Sequence, residues 1–370
     1  MMTDRKKLVI DAEIPFIQGV FEPYADVCYI KGAEIDNASL ENADGLLVRT
    51  RTQCTPALLK GSPLSFIGTA TIGEDHIDKR YCAQMGIRIA SAAGCNASAV
   101  AQYVLAAIVV LAQKQCKKLD GMTLGIVGVG NVGSRLAQMA QAIGMRVLLN
   151  DPPRALREGS AGFCSLNAVL TQSDVVSLHV PLQEDTMHLA SVSFFEGLTK
   201  TPILINTSRG RVVDEAALLR FAPKTSAVVL DVWDNEPRIN KLVLDMASIA
   251  TPHIAGYSVE GKQNATVAVV RATAAFFDWK GLKKFALSPL PMQRIQLVSR
   301  LMTKEEVLCT LFKNIFPILD EDLSLRIAPE RFEAIRSAYA YRRENMGYIV
   351  DLQTPAVSRD CLLGLGFSIK

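Results

Sequence analysis

Three short segments carry side chains with complementary chemistry. NTSRGRVVDEAAL (206–218) holds Arg209, LDVWDNEP (230–237) holds Glu236, and TPHIAGYS (251–258) holds His253. Together they fit hydride transfer from C2 of a small 2-hydroxy acid. That reaction needs a base for the hydroxyl proton, a cation for the carboxylate and growing carbonyl, and a group that orients the base. Imidazole suits the first role because its proton comes and goes near neutral pH. A guanidinium suits the second because its planar fork matches a carboxylate or an α-keto acid. A carboxylate on one imidazole nitrogen fixes the tautomer and raises the basicity of the ring. Each residue alone has a blander reading: a salt-bridged surface arginine, a loop glutamate before proline, a histidine satisfying a core hydrogen bond. Their joint order behind a nucleotide-binding pattern is what points to catalysis.

That pattern is TLGIVGVGNVGSRL, residues 123–136, where Gly128, Gly130 and Gly133 form G-x-G-x-x-G between an apolar strand and a helix. The first glycine permits a tight turn, the second lets backbone approach a pyrophosphate, and the third lets helix and strand pack closely. With Asn131 and Val132 the loop opens a helix whose free N–H groups favour phosphate. Asp151 ends the next strand, RVLLND. A carboxylate there accepts bonds from ribose hydroxyls and repels a 2′-phosphate, which selects NAD over NADP. The nearby Arg154 is the one feature that weakens this selection.

Elements that would position these residues are legible as short apolar runs between turn residues. Leu8–Asp11, Gly45–Arg49, Leu64–Gly68 and Gly86–Ala90 read as strands of a first α/β series. Thr123–Val127, Arg146–Leu149, Val175–His179, Ile203–Asn206 and Ala227–Asp231 read as a second. Alternation of strands with helices predicts parallel sheets covered on both faces. Asn96 to Lys117 reads as one buried helix, and 258–279 is helical again. Beyond Lys284 a small α+β domain is expected, with a helix over Arg331–Arg343 and a strand at Tyr348–Asp351.

Composition narrows the classes. The 370 residues are 49% apolar and 21% charged, enough for two or three packed domains. A net charge of +3 without a basic block argues against nucleic acid as partner. No secretory apolar region follows the N-terminus, and the apolar stretch Tyr103–Ala112 is too short to span a bilayer, so a cytoplasmic protein without membrane contact is expected. The eight cysteines lack zinc-ligand spacing and read as reduced, mostly buried thiols, with no metal site.

Over roughly residues 1–280 the chain resembles the D-isomer-specific 2-hydroxyacid dehydrogenase family. The likeness rests on the glycine loop, H-x-P-L-x-x-x-T at His179–Thr186, N-x-x-R-G at Asn206–Gly210, D-V-x-x-x-E-P at Asp231–Pro237 and P-H-I-A-G at Pro252–Gly256. It implies that Arg209, Glu236 and His253 are catalytic, and that Val180, Thr207, Asp231 and Gly256 join the glycine loop and Asp151 in holding NAD. It also implies a doubly wound Rossmann NAD domain (95–254), a flavodoxin-like substrate domain (1–94 plus 255–283) and a C-terminal dimerisation domain (284–370). LVRTRT (47–52), FIGTATIGEDHID (66–78), SAAGCNASAVAQYV (91–104) and HIAGYSVEGK (253–262) resemble a branch that acts on a phosphorylated acid. YRREN (341–345) and CLLGLGF (361–367) resemble that branch's extra domain, which supports a homodimer. By matching positions, Thr50 and Thr71, with Arg49 behind them, are the expected phosphate or carboxylate contacts, and Tyr257 offers its hydroxyl to substrate. Arg342 and Arg343 have two readings, reaching an active site across a dimer or, the favoured one, making helix-face salt bridges. Other expectations the sequence leaves open are a phosphoglycerate or hydroxypyruvate dehydrogenase and an NAD(H)-sensing binding protein.

Overall fold

A computed structural model of the chain describes residues 5–298 and 302–370. It divides into two units, 1–96 with 259–289, and 97–258 with 290–370.

In the first unit five strands form one parallel sheet: β1 (Lys7–Asp11), β2 (Asp26–Ile30), β3 (Gly45–Val48), β4 (Phe66–Thr69) and β5 (Arg88–Ser91). Their order is β2-β1-β3-β4-β5, the flavodoxin-like order. Strand residues alternate faces, and the two faces bury different cores. Leu8, Ile10, Leu47 and Phe66 pack with Ala265, Val269 and Ala274 of the Val259–Phe276 helix. Val9, Leu46, Val48 and Ile67 pack with Leu40, Leu59 and Cys82. Burial on both faces is why β3 and β4 read as unbroken apolar runs. The sequence reading missed β2, an edge strand without a fully buried residue and hence without a clear apolar signal.

In the second unit the sheet comprises β6 (Thr123–Val127), β7 (Arg146–Asn150), β8 (Val175–Leu178), β9 (Ile203–Asn206), β10 (Ala227–Leu230) and the two-residue β11 (Ile249–Ala250). All pairs are parallel, in the order β11-β10-β9-β8-β6-β7. Between β6 and β8 the connections run in opposite directions, which opens the crevice where doubly wound sheets bind ligands. The Ala97–Lys114 helix covers one face of this sheet and is buried from Val100 to Ala112. Its 18 residues, at mean hydropathy 1.5, are long and apolar enough to cross a membrane, contrary to the expectation from Tyr103–Ala112 alone. Its apolar character serves the protein core instead, since 83% of it is buried inside the fold.

Residues 290–370 belong to the same unit. A three-stranded parallel sheet has the order β12 (Gln293–Val298), β13 (Tyr348–Gln353), β14 (Ser368–Ile369). The Lys304–Ile315 helix begins at a capping box, Thr303 with Glu306, and sends Leu308, Leu311, Phe312 and Ile315 into the core built around Val104 and Ile108. The helix expected over Arg331–Arg343 spans only Phe332–Ala338. Beyond it the chain turns extended, and Arg342 bridges to Ser258.

Candidate active site

Every cofactor and catalytic candidate of the second unit follows the carboxyl end of a strand. Gly128 follows β6, Asp151 β7, Val180 β8, Thr207 and Arg209 β9, Asp231 and Glu236 β10, and His253 and Gly256 β11.

The glycine loop shows why each glycine is there. Gly128 has φ +92°, and a Cβ on it would lie 2.7 Å from the His179 backbone. A Cβ on Gly133 would lie 2.2 Å from the Gly128 carbonyl oxygen. A Cβ on Gly130 would meet nothing within 4 Å, so the chain's own packing does not demand a glycine there. Room for an incoming pyrophosphate does explain it. Gly130 and Asn131 are exposed and Val132 half-buried at the start of the twelve-residue Asn131–Ala142 helix, so the loop fits a dinucleotide. Asp151 Oδ2 accepts the Val129 N–H at 2.8 Å and Oδ1 caps the next helix through Arg154 N at 2.9 Å, tying β7 to the loop. The Arg154 guanidinium is spent on Val129 O, Ser134 Oγ and Glu158, which removes it as a natural 2′-phosphate ligand.

Three loops then lock together. The Asn206 side chain, fully buried, donates to Arg209 O at 2.9 Å and accepts from Ser208 N at 3.0 Å, shaping the turn that carries Arg209. Gly210 lies against the next loop, since a Cβ on it would fall 1.9 Å from the Trp233 carbonyl carbon. Trp233 in turn donates Nε1–H to Thr251 O and its backbone N–H to Glu236 Oε1, both at 2.9 Å. The loop holding His253 is gathered by Asp231. That carboxylate, 1% exposed, accepts from Thr251 Oγ1, Ile254 N and Ala255 N. The backbone N–H of His253 donates to Asp231 O at 2.7 Å, which holds His253 at φ +58°, a left-handed conformation that side chains rarely adopt. Burial raises the pKa of Asp231, opposed by the charge of His253 and these donors.

His253 Nδ1 and Glu236 Oε2 are 2.8 Å apart. Burial works to raise the pKa of Glu236. The hydrogen bond and charge of His253, the Trp233 N–H and the Arg336 charge outweigh it, and the net shift is downward. The carboxylate is thus kept ionised against the ring, with the opposite ring nitrogen left for a substrate. His179 lies beside Ser177 Oγ at 2.8 Å and Thr207 Oγ1 at 3.4 Å, and desolvation pushes its pKa down to about 3, so it stays neutral.

In the first unit Arg49 lies half-buried at the end of β3. It is paired with the fully buried Asp11 at 2.9 Å and with Glu13 at 2.5 Å, partners the sequence did not reveal. Thr50 is exposed. Thr71 Oγ1 meets Thr69 Oγ1 at 2.7 Å and donates to Gly73 O, and Thr69 contacts the buried His76. His76 escaped the sequence reading because nothing local marks its burial.

The C-terminal segment contributes what sequence reasoning missed most. Arg342 is not a helix-face salt-bridge residue but a buried one, 7% exposed. It donates to the carbonyls of Ala99, Ile254, Ala255 and Tyr257, and to Gln102 Oε1. Glu344 accepts from Ser258 Oγ at 2.7 Å, and Asn345 accepts from Gln102. The RREN run therefore clamps the backbone that follows His253. Arg343 donates to Pro291 O. Arg336 donates Nε–H to the hydroxyl of Tyr257 at 3.2 Å. No local pattern marks either Arg336 or Arg342, because their partners, the Tyr257 hydroxyl for one and backbone carbonyls for the other, are distant in sequence.

Comparison with known proteins agrees with this construction. Residues 96–255 match the family model described as D-isomer specific 2-hydroxyacid dehydrogenase, NAD binding domain. Solved structures with the same fold include D-lactate dehydrogenase from Aquifex aeolicus complexed with NAD and lactic acid. It is 28% identical, with TM-score 0.60, over 77% of this chain and 100% of that one. NAD-bound 3-phosphoglycerate dehydrogenase from Entamoeba histolytica is 26% identical, with TM-score 0.63, over 77% and 99%. Among curated relatives, erythronate-4-phosphate dehydrogenase of Bacteroides thetaiotaomicron is 42% identical over 92% of this chain and 98% of its own. That of Chromohalobacter salexigens is 38% identical over 98% and 99%. A glycine loop built for a dinucleotide, a histidine–glutamate pair beyond the same sheet and likeness over nearly the full length converge, and the chain belongs to the D-isomer specific 2-hydroxyacid dehydrogenase family, among relatives named erythronate-4-phosphate dehydrogenase.

Proposed function

We propose that this protein oxidises 4-phospho-D-erythronate at C2 to (R)-3-hydroxy-2-oxo-4-phosphooxybutanoate, a step in forming pyridoxine 5′-phosphate (vitamin B6). The observation that carries the chemistry is the 2.8 Å His253–Glu236 pair beyond an NAD-binding sheet. The likeness to relatives named for this substrate carries its identity. NAD, when bound, accepts the hydride released from C2. His253, oriented through Nδ1 by Glu236, takes the C2 hydroxyl proton on its other nitrogen. Arg209 holds the carboxylate and polarises the forming carbonyl. The glycine loop, Asp151, Val180, Thr207, Asp231 and Gly256 hold the dinucleotide. Asp231 does so from a carboxylate that also shapes the His253 loop. Thr50, Thr71 and Tyr257 meet the substrate, with Arg49 ordering the Thr50 loop.

In this reading residues 1–94 plus 255–283 bind substrate, 95–254 bind NAD, and 284–370 pair two copies in the cytoplasm. Leu319, Leu323 and Ile327 support the pairing. They recur every fourth residue on the Ile318–Ile327 helix at 44%, 56% and 73% exposure, an apolar stripe suited to a second copy. The function is tested by NADH formation on 4-phospho-D-erythronate, 3-phosphoglycerate, glycerate and D-lactate. The phosphorylated four-carbon acid should be preferred, and His253→Ala should lower kcat at least ~10²-fold. Preference for another acid, or near-normal turnover by the variant, would contradict the assignment.

A further inference from the structure

Resting on the functional reading above, the substrate carries two anionic ends. Its carboxylate adjoins the reacting carbon, and its phosphate, with a charge near −2 at neutral pH, sits two carbons beyond. Arg209 suits the first. The second needs another cation near the histidine–glutamate pair but not on it, and Arg49 has its charge already matched by Asp11 and Glu13.

Arg336 meets this need within the unit that holds His253. It lies in the last turn of the Phe332–Ala338 helix, and its side chain is only 21% exposed. Its Nε–H donates to the Tyr257 hydroxyl at 3.2 Å, and its guanidinium carbon stands 5.8 Å from the centre of the Tyr257 ring. Tyr339 and Tyr341 also pack on Tyr257, so the guanidinium is held in an aromatic setting rather than in open water. Two carboxylates act on it through their charge: Glu236, whose oxygens are taken by Trp233 and His253, and Glu333, 3.8 Å away and too far for a hydrogen bond. Among the described residues the guanidinium's one hydrogen bond is that to Tyr257, leaving most of its five donors unspent. A largely buried cation so incompletely paired carries a desolvation cost that a ligand anion would offset.

We propose that Arg336 is the phosphate anchor of this site and, with Tyr257, makes it select a phosphorylated acid over its unphosphorylated counterpart. The fork of the guanidinium takes two phosphate oxygens, and Tyr257 fixes its orientation. The selecting residue is therefore supplied by the C-terminal segment.

The test compares wild type, Arg336→Gln and Arg336→Lys, each checked for NADH binding and melting temperature. Rates with NAD are measured on 4-phospho-D-erythronate and on D-erythronate, and binding of inorganic phosphate is measured on the NADH-bound protein. Arg336→Gln should lose ~10–100-fold in kcat/KM on the phosphorylated acid, mainly through KM. Its loss on D-erythronate should be at least ~10-fold smaller, its phosphate affinity should fall by a similar factor, and Arg336→Lys should recover part of both. Equal losses on the two acids, or unchanged phosphate affinity, would overturn the proposal, because Arg336 would then act only through Tyr257 or Glu236. If wild type fails on 4-phospho-D-erythronate, the functional reading falls, and phosphate affinity still decides on Arg336. A loss in Arg336→Gln upholds the anion site, and equality removes it.

Discussion

The single residue whose environment makes the sharpest quantitative statement is His179. Its ring sits between Ser177 and Thr207, and desolvation lowers its pKa from the ordinary 6.5 to about 3. The folded protein therefore holds this ring neutral where the unfolded chain would protonate it. The associated stability is fully present above pH 6.5 and is lost progressively as pH falls from there toward 3. Urea unfolding of wild type should consequently weaken between pH 7 and pH 4 more steeply than that of His179→Asn, which cannot titrate. Parallel slopes would mean that the ring is not held neutral. His179 was visible in the sequence as part of a family stretch, and the desolvation of its half-buried ring was not. The same holds for Asp231. The family resemblance leads to the expectation of a cofactor contact there, and the structure adds that its carboxylate gathers Thr251, Ile254 and Ala255 and so sets the backbone of His253. Side-chain chemistry is local and readable, but the bonds that aim it cross from loop to loop.

At the scale of elements, the strands and the helices between them were largely legible, because parallel strands buried on both faces are apolar throughout. β6, β9 and β10 are buried along their whole lengths and begin where the apolar runs predict. The edge strand β2 escaped because none of its residues is fully buried, and β11 because two buried residues are too short a run to mark a strand. The C-terminal helix was drawn too long for a related reason. Tyr339 to Arg343 is compatible with helix locally, but Arg342 is called away by the carbonyls after His253. This gives an element-level prediction. Arg342→Ala strands Gln102 Oε1 and the Ala255 carbonyl in the interior and takes the donor from the half-buried Tyr257 carbonyl, and each buried unsatisfied group costs about 1–3 kcal/mol. The variant should unfold at lower urea with a total loss of about 3 kcal/mol or more, and its kcat should fall as the His253 loop loosens. A variant with wild-type stability would show that the clamp is incidental.

At the scale of the whole molecule, the two kinds of relative differ in reach. D-lactate dehydrogenase is matched over its entire length yet covers 77% of this chain, while the relatives named erythronate-4-phosphate dehydrogenase cover 92% and 98%. The additional chain in this branch is not an inert appendage, since residues 290–370 share a core with the Ala97–Lys114 helix and place Arg342 against the backbone that follows His253. Its exposed Leu319, Leu323 and Ile327 lead to an expectation for assembly. Sedimentation should find a dimer, and Leu323→Glu should shift it to monomer while NADH binding persists. A monomeric wild type, or a dimer indifferent to that charge, would place the stripe outside any interface. The α/β class followed from periodicity. The fusion of the C-terminal segment with the nucleotide-binding unit did not, because the apolar face of Lys304–Ile315 names no partner in the sequence.

The central claim is hydride transfer from C2 of a phosphorylated 2-hydroxy acid to NAD, with His253 taking the hydroxyl proton. The most direct measurement uses 4-phospho-D-erythronate deuterated at C2, following the label by mass spectrometry of the nicotinamide product. The account predicts that the deuterium appears in the reduced cofactor, one per turnover, and that His253→Ala slows its appearance at least ~10²-fold. Deuterium retained in the acid, or reduced cofactor formed without label, would contradict it.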